Sequence, residues 1–163
     1  MKSIILCVMV MVSIVSMGQE KTSPIRQKMY RAAYETLCGF YQESNLCVSD
    51  SIYDLNWGYF ANEVDDETKK VFSNYRIDRC FLLTPPFYSD DISAVIDSVG
   101  IDCQKSMYIA EFSCPYREMI MCYILPIDKR IGIFGAPQIQ IFLFKFDLEG
   151  NILDVSKKEL CID

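Results

Sequence analysis

Between Gln138 and Lys158 the chain alternates with a period of two, the pattern of half-buried strands. Gln140, Phe142, Phe144, Phe146 and Leu148 fall on one face, and Ile139, Ile141, Leu143, Lys145 and Asp147 on the other. A two-residue loop at Glu149-Gly150 places glycine where a positive φ is needed. That register sets Lys145 opposite Asp154 and brings Phe144 and Phe146 beside Val155 and Leu153. Sliding the loop by one residue would oppose Asp147 to Asp154, so charge favours the first register. The phenylalanine face is the expected core face, each ring contributing about 1.5–3 kcal/mol on burial. The opposite face is polar near the turn but apolar at Ile139, Ile141 and Leu143. That half is expected to lie under another layer, a partner or a ligand.

The period changes to that of a helix in PIRQKMYRAAYETLCGFY, where Ile25, Met29, Ala32/Ala33, Leu37 and Phe40 recur on one stripe. Ser23 is the expected N-cap and Pro24 the first helical residue. Tyr30, Tyr34 and Tyr41 flank the stripe, either as packing residues with a wet hydroxyl or as the lining of a pocket. Glu63 to Lys70 reads as the charged start of a helix reaching about Tyr75, with acidic residues favoured by the helix dipole. A third, short helix is expected in DISAVIDSV, capped by Ser89 or Asp90 and stopped at Gly100.

Strand-like runs cover Ile77 to Thr84, Ser106 to Cys114 and Arg117 to Pro126. A turn at Pro115-Tyr116 would pair the last two, with Phe112 near Met119 and Ala110 near Met121. EMIMCYIL is apolar on both faces, as a central strand under a second layer should be. Residues 128–137 connect into the long hairpin and carry Ile131, Ile133 and Phe134, which either tuck into the core or form a sticky tip. The expected architecture is α+β: an N-terminal amphipathic helix and one or two short helices on a mainly antiparallel sheet of about four to six strands. This order of elements resembles the NTF2-like arrangement, a cone-shaped sheet around a long helix; the likeness is one of pattern and rests on no motif.

The first eighteen residues carry one lysine, a short apolar run (IILCVMVMVSIV) and small residues at Ser16 and Gly18. They read as a signal peptide, which leaves one domain from Gln19 to Asp163 and places the protein outside the cytoplasm, periplasmic or extracellular, of a bacterium. The apolar run is short for a membrane span. With 16 basic and 22 acidic residues, the net charge of −6 and the lack of any basic run argue against nucleic acid or anionic membrane as partner.

Of eight cysteines, Cys7 lies in the signal segment. The remaining seven are Cys38, Cys47, Cys80, Cys103, Cys114, Cys122 and Cys161, an odd number with no C-x-x-C spacing. One to three disulfides are expected, with Cys38–Cys47 as the first local candidate, against the alternative that many are buried small hydrophobes.

Histidine is absent, which removes imidazole metal sites, Ser-His-Asp and Cys-His catalysis. No phosphate-binding glycine loop, G-x-S-x-G or H-E-x-x-H pattern occurs. No catalytic residue, metal or cofactor is assigned. The expected function is non-enzymatic binding of a protein partner, as an inhibitor, an immunity-type protein or an envelope accessory subunit. The alternatives are a small-molecule-binding domain with an apolar pocket between helix and sheet and, third, a carboxylate or thiol enzyme. Tyr34, Trp57, Phe112, Tyr123 and Phe142 are the expected pocket lining, and Phe134 a further contact with ligand or partner. A protein-binder should present an exposed aliphatic and aromatic patch rimmed by acid; a ligand-binder should enclose a cavity.

Overall fold

The computed structural model describes residues 22–41, 46–53, 55–73, 87–101, 103–127 and 138–161. The expected signal peptide, the strand over 77–84 and the 128–137 connection with Phe134 lie outside them.

Helix α1 (Pro24–Phe40) begins as its sequence dictates: the Ser23 hydroxyl accepts from the Arg26 amide, and proline occupies the first turn. Helix α2 (Asp66–Ser73) is capped by Asp65, which accepts the Glu67 and Thr68 amides at 3.1 and 3.0 Å and the Thr68 hydroxyl at 2.8 Å. Helix α3 (Asp90–Val99) runs from the Ser89 cap to Gly100, whose φ of 70° gives the left-handed stop. Asp91 is buried at its start and accepts from the Ser23 amide at 2.9 Å and Gln27 Nε2 at 3.2 Å, so one carboxylate joins the N-terminal ends of α1 and α3.

Six strands form one sheet: β1 (Leu46–Tyr53), β2 (Phe87–Tyr88), β3 (Tyr108–Ser113), β4 (Met119–Pro126), β5 (Gln138–Phe146) and β6 (Ile152–Cys161). Their order is β2-β1-β3-β4-β5-β6; β1 runs parallel to β3, and every other pairing is antiparallel. The α+β class and the mainly antiparallel sheet are those expected from the pattern.

Each face of the sheet carries its own core. On the first, Met29, Tyr30, Ala33, Tyr34 and Leu37 of α1 and Ile92 and Val95 of α3 meet Ala110, Phe112, Ile120, Cys122, Ile124, Phe142, Phe144 and Phe146. On the second, Leu55, Trp57 and Phe60 meet Met119, Met121, Tyr123, Ile139, Ile141 and Leu143. The layer over Ile139, Ile141 and Leu143 is therefore the chain itself: the stretch after β1, with a single 3-10 turn at Trp57–Phe60.

Three expected pairings are corrected. In the hairpin, Lys145 does oppose Asp154 and Phe144 does oppose Val155, but a bulge follows and Phe146 pairs with Ile152, leaving Leu153 exposed. The turn is longer than two residues: the Asp147 amide donates to the Asn151 carbonyl at 2.9 Å and the Gly150 amide, at φ 80°, to the Asp147 carbonyl at 3.0 Å. Leu148, placed on the core face by alternation, is exposed at this turn. Between β3 and β4, Phe112 opposes Cys122 and Ala110 opposes Ile124, and the reversal falls at Arg117-Glu118 rather than Pro115-Tyr116. The odd shift in register moves Met119 and Met121 to the second face, an error invisible in a strand apolar on both sides. Finally, Cys47 pairs with Cys103, not with Cys38, and ties β1 to the turn following α3 across 56 residues. Cys122 behaves as the buried small hydrophobe of the alternative reading.

Candidate functional site

The five expected pocket residues within the described chain all lie inside the two cores and do not converge. Tyr34, Phe112 and Phe142 belong to the face under α1, whereas Trp57 and Tyr123 belong to the other. Between α1 and the sheet, Tyr30 packs edge-on against Phe112 with ring centroids 5.5 Å apart and donates its hydroxyl to the Ser113 carbonyl at 3.0 Å. Tyr123 is fully buried; its hydroxyl accepts from the Asn56 amide at 3.3 Å, and burial holds its ionisation well above the ordinary tyrosine range. A single pocket lined by all five is thus not formed. Phe134 lies outside the described residues.

What alternation does not disclose is the end of the sheet beneath the C-terminal end of α1. Helix α1 outruns the core there. Phe40, an expected member of the inward stripe, is 57 % exposed, resting on Phe142 at 5.4 Å between centroids. The Lys157 ammonium lies 5.9 Å from the Phe40 ring and 5.8 Å from Phe142. Tyr41 turns across the strands, 5.1 Å from Tyr108, and its hydroxyl donates to the Gln140 side-chain oxygen. Burial, then the neighbouring Tyr108, pushes the Tyr41 hydroxyl well above its usual range, so it stays a donor. Met107 and Ile127, 47 % and 45 % exposed, close β3 and β4 at this end, joined by a 2.9 Å backbone hydrogen bond. Glu159 contributes acid at the rim, 3.4 Å from both Lys157 and Gln140. Phe40, Tyr41 and Tyr108 therefore make an aromatic surface on the first face, bordered by Lys157 and Glu159, while Met107 and Ile127 continue the rows of Ile109 and Leu125 on the other face. Strand ends and helix ends are where periodicity stops reporting burial, so sequence reasoning missed most of it.

The second face carries a connected network of polar groups. Lys158 reaches Glu63 at 2.7 Å and the Tyr59 carbonyl, and lies over the Phe60 ring at 4.9 Å. Lys145 donates to the Glu63 carbonyl at 2.7 Å and to Asp154 at 3.0 Å. Burial pushes the Glu63 carboxyl up, but hydrogen bonds from Lys158 and Ser156 and the two lysine charges outweigh it and hold the group below the ordinary range. Arg117, at a left-handed φ of 52°, ties α2 to the β3–β4 turn through Glu67 at 3.1 Å and the Thr68 hydroxyl at 3.2 Å. These contacts clamp the covering stretch onto the strands; they have a structural account.

A third polar group stands apart. Glu111, half-buried on β3, is hydrogen-bonded by Tyr53, whose hydroxyl is 3.1 Å from Ser49 Oγ. Burial raises the Glu111 carboxyl, against the lowering pull of Tyr53. Tyr53, in turn beside Ser49, thus provides a hydrogen-bond partner for a half-buried carboxyl.

Among the described residues no group of three or more His, Cys, Asp or Glu side chains could hold a metal ion, and no helix is long and apolar enough to cross a membrane. No protein-family model, no curated protein and no solved structure matches the chain.

Proposed function

We propose that this is an exported, non-enzymatic α+β domain that binds another protein through the surface built by Phe40, Tyr41 and Tyr108. One observation carries the reading. Phe40 is a large aromatic residue more than half exposed, seated on Phe142 beside the Tyr41–Tyr108 pair. Aromatic side chains anchored on a rigid frame are the chemistry of protein-binding hot spots. Burying Phe40 costs little side-chain entropy, since Phe142 and the Lys157 ammonium already restrict it. A net charge of −6 favours a basic partner in the encounter. The apolar lining expected for a small-molecule pocket is instead consumed by the two cores.

The test is a pull-down from envelope and culture-fluid extracts, comparing the wild type with Phe40→Ser. Phe40→Ser should retain the wild-type circular dichroism and lose a stoichiometric partner by at least tenfold. Equal capture by a folded Phe40→Ser protein would overturn this surface. A wild type that captures nothing stoichiometric would overturn the protein-binding reading itself.

A further inference from the structure

Among the described residues, the outer edge of β6 pairs with no strand, and β6 is the longest strand of the sheet. A long open edge is a template for another strand, and proteins with such edges either blunt them or use them. Charges distributed along β6 show which partner strand the edge fits.

We infer that β6 pairs antiparallel with β6 of a second copy of this chain, about a two-fold axis through Ser156, joining two sheets into one. Symmetry restricts the register first. A two-fold axis normal to the sheet keeps every residue on its own face, and residues directly opposed across antiparallel strands share a face. Opposed residues must therefore both be odd or both be even, so one central residue faces its own copy. A centre at Asp154, Lys157 or Lys158 sets two like charges against each other, which is destabilising. A centre at Val155 creates no charge pair. Centring on Ser156 opposes an uncharged residue to itself and brings Asp154 against Lys158 twice, once on each side of the axis.

The charges are already placed for this. Asp154, Ser156 and Lys158 oppose Lys145, Leu143 and Ile141 of β5, so all three lie on the second face of the sheet. Within one copy, Lys158 is held by Glu63 at 2.7 Å and Asp154 by Lys145 at 3.0 Å. The inferred register inserts each Asp154 beside the other copy's Lys158. The order then runs Glu63, Lys158, Asp154, Lys145 across the join, alternating in sign throughout. Asp154 keeps an open side for this contact, its side chain being 54 % exposed. The bulge at Leu153 ends the regular part of β6 one residue before Asp154 and so delimits the paired segment.

Two measurements test this on the purified protein. Sedimentation equilibrium of the wild type should give a concentration-dependent mass reaching twice that of the monomer. Ser156→Cys should then cross-link on mild oxidation, because directly opposed residues stand about 4.5–5.5 Å apart, within disulfide reach. The expected product is a covalent dimer at least fivefold above the wild-type background, with mass spectrometry identifying two copies of the β6 peptide joined through the substituted position. A wild type monomeric up to its solubility limit overturns the inference. So does a dimeric wild type whose Ser156→Cys variant cross-links no better than background, since the dimer then uses another surface.

Discussion

The two faces of the sheet bury comparable apolar rows by different means. On the first, α1 and α3 supply continuous stripes with satisfied ends: Ser23 and Ser89 cap the starts, Gly100 stops α3, and Asp91 links both beginnings. Apolar contact and capping hydrogen bonds account for that face. On the second, the cover over Met121, Tyr123, Ile141 and Leu143 is an irregular stretch whose own backbone hydrogen bonding is limited to single turns. It is therefore pinned by long polar side chains, Lys145 and Lys158 from the sheet and Arg117 from a turn. A regular helix satisfies its own backbone groups and needs only an apolar face to dock. An irregular segment has to borrow partners for its carbonyls.

The largest effects should come from the adjacent pair Phe144 and Leu143, which are both fully buried but face opposite ways. Phe144→Ala should lose about 3–5 kcal/mol and Leu143→Ala about 2–5 kcal/mol in urea titration. Near-equal losses would show that the irregular cover packs as tightly as the helices. A Leu143→Ala loss under about 1 kcal/mol would show that the second face relaxes around a cavity, and the same result at Phe144 would refute the first face as core. Next in size is reduction of Cys47–Cys103. By chain entropy, a loop of this length is worth about 4 kcal/mol, so the midpoint of urea unfolding should fall with reductant in the wild type. The Cys47→Ala/Cys103→Ala variant should show that loss without reductant, and an unchanged midpoint would mean that the bridge adds nothing to stability.

This contrast also explains what could be read from the chain. The first face was legible because helices announce themselves: the period in 24–40, serine caps and a terminal glycine together gave α1 and α3 nearly to the residue. The β5–β6 register was legible as well, since one opposite-charge pair, Lys145 with Asp154, separates it from its neighbour. The β3–β4 register was not. With apolar residues on both sides of β4, nothing penalises an odd slip, and the reversal is made by Arg117 in a conformation that sequence assigns to glycine or asparagine. The cover of the second face left no periodic signature, only a density of aromatic residues around Trp57 that does not tell a core anchor from a contact site. The candidate surface was the least legible, because Phe40 obeys the helical stripe and is exposed only because the helix extends past the rows it covers.

A smaller effect isolates the pins. Lys158→Met removes the bonds to Glu63 and the Tyr59 carbonyl while keeping much of the stem over Phe60. The group is partly exposed, so the loss should be about 1 kcal/mol. Its location is the sharper readout. Amide exchange should accelerate over residues 57–63 and stay unchanged in α1. Uniform acceleration would mean that the cover is not a separately anchored unit.

The smallest effect lies in the pH dependence, where two carboxyls pull in opposite directions. Glu63 is held below the ordinary range in the folded protein, so the unfolded chain binds its proton more readily. Its contribution is present above the usual glutamate value, near 4.3, and is lost as pH falls through the lower folded value. Glu111 is held above that range by burial, so here the folded protein binds the proton more readily. Its contribution is present below the usual value and is lost as pH rises through the higher folded one. Glu63→Gln should thus be less stable than the wild type at neutral pH and converge with it in acid. Glu111→Gln should match the wild type in acid and gain on it as pH rises, because the amide never incurs the cost of a half-buried charge. Urea midpoints of the three proteins from pH 3 to 8 give both difference curves. Curves of the same sign would show that at least one of the two carboxyls is not perturbed as its surroundings dictate, and the pinned cover would lose its electrostatic account if that one were Glu63.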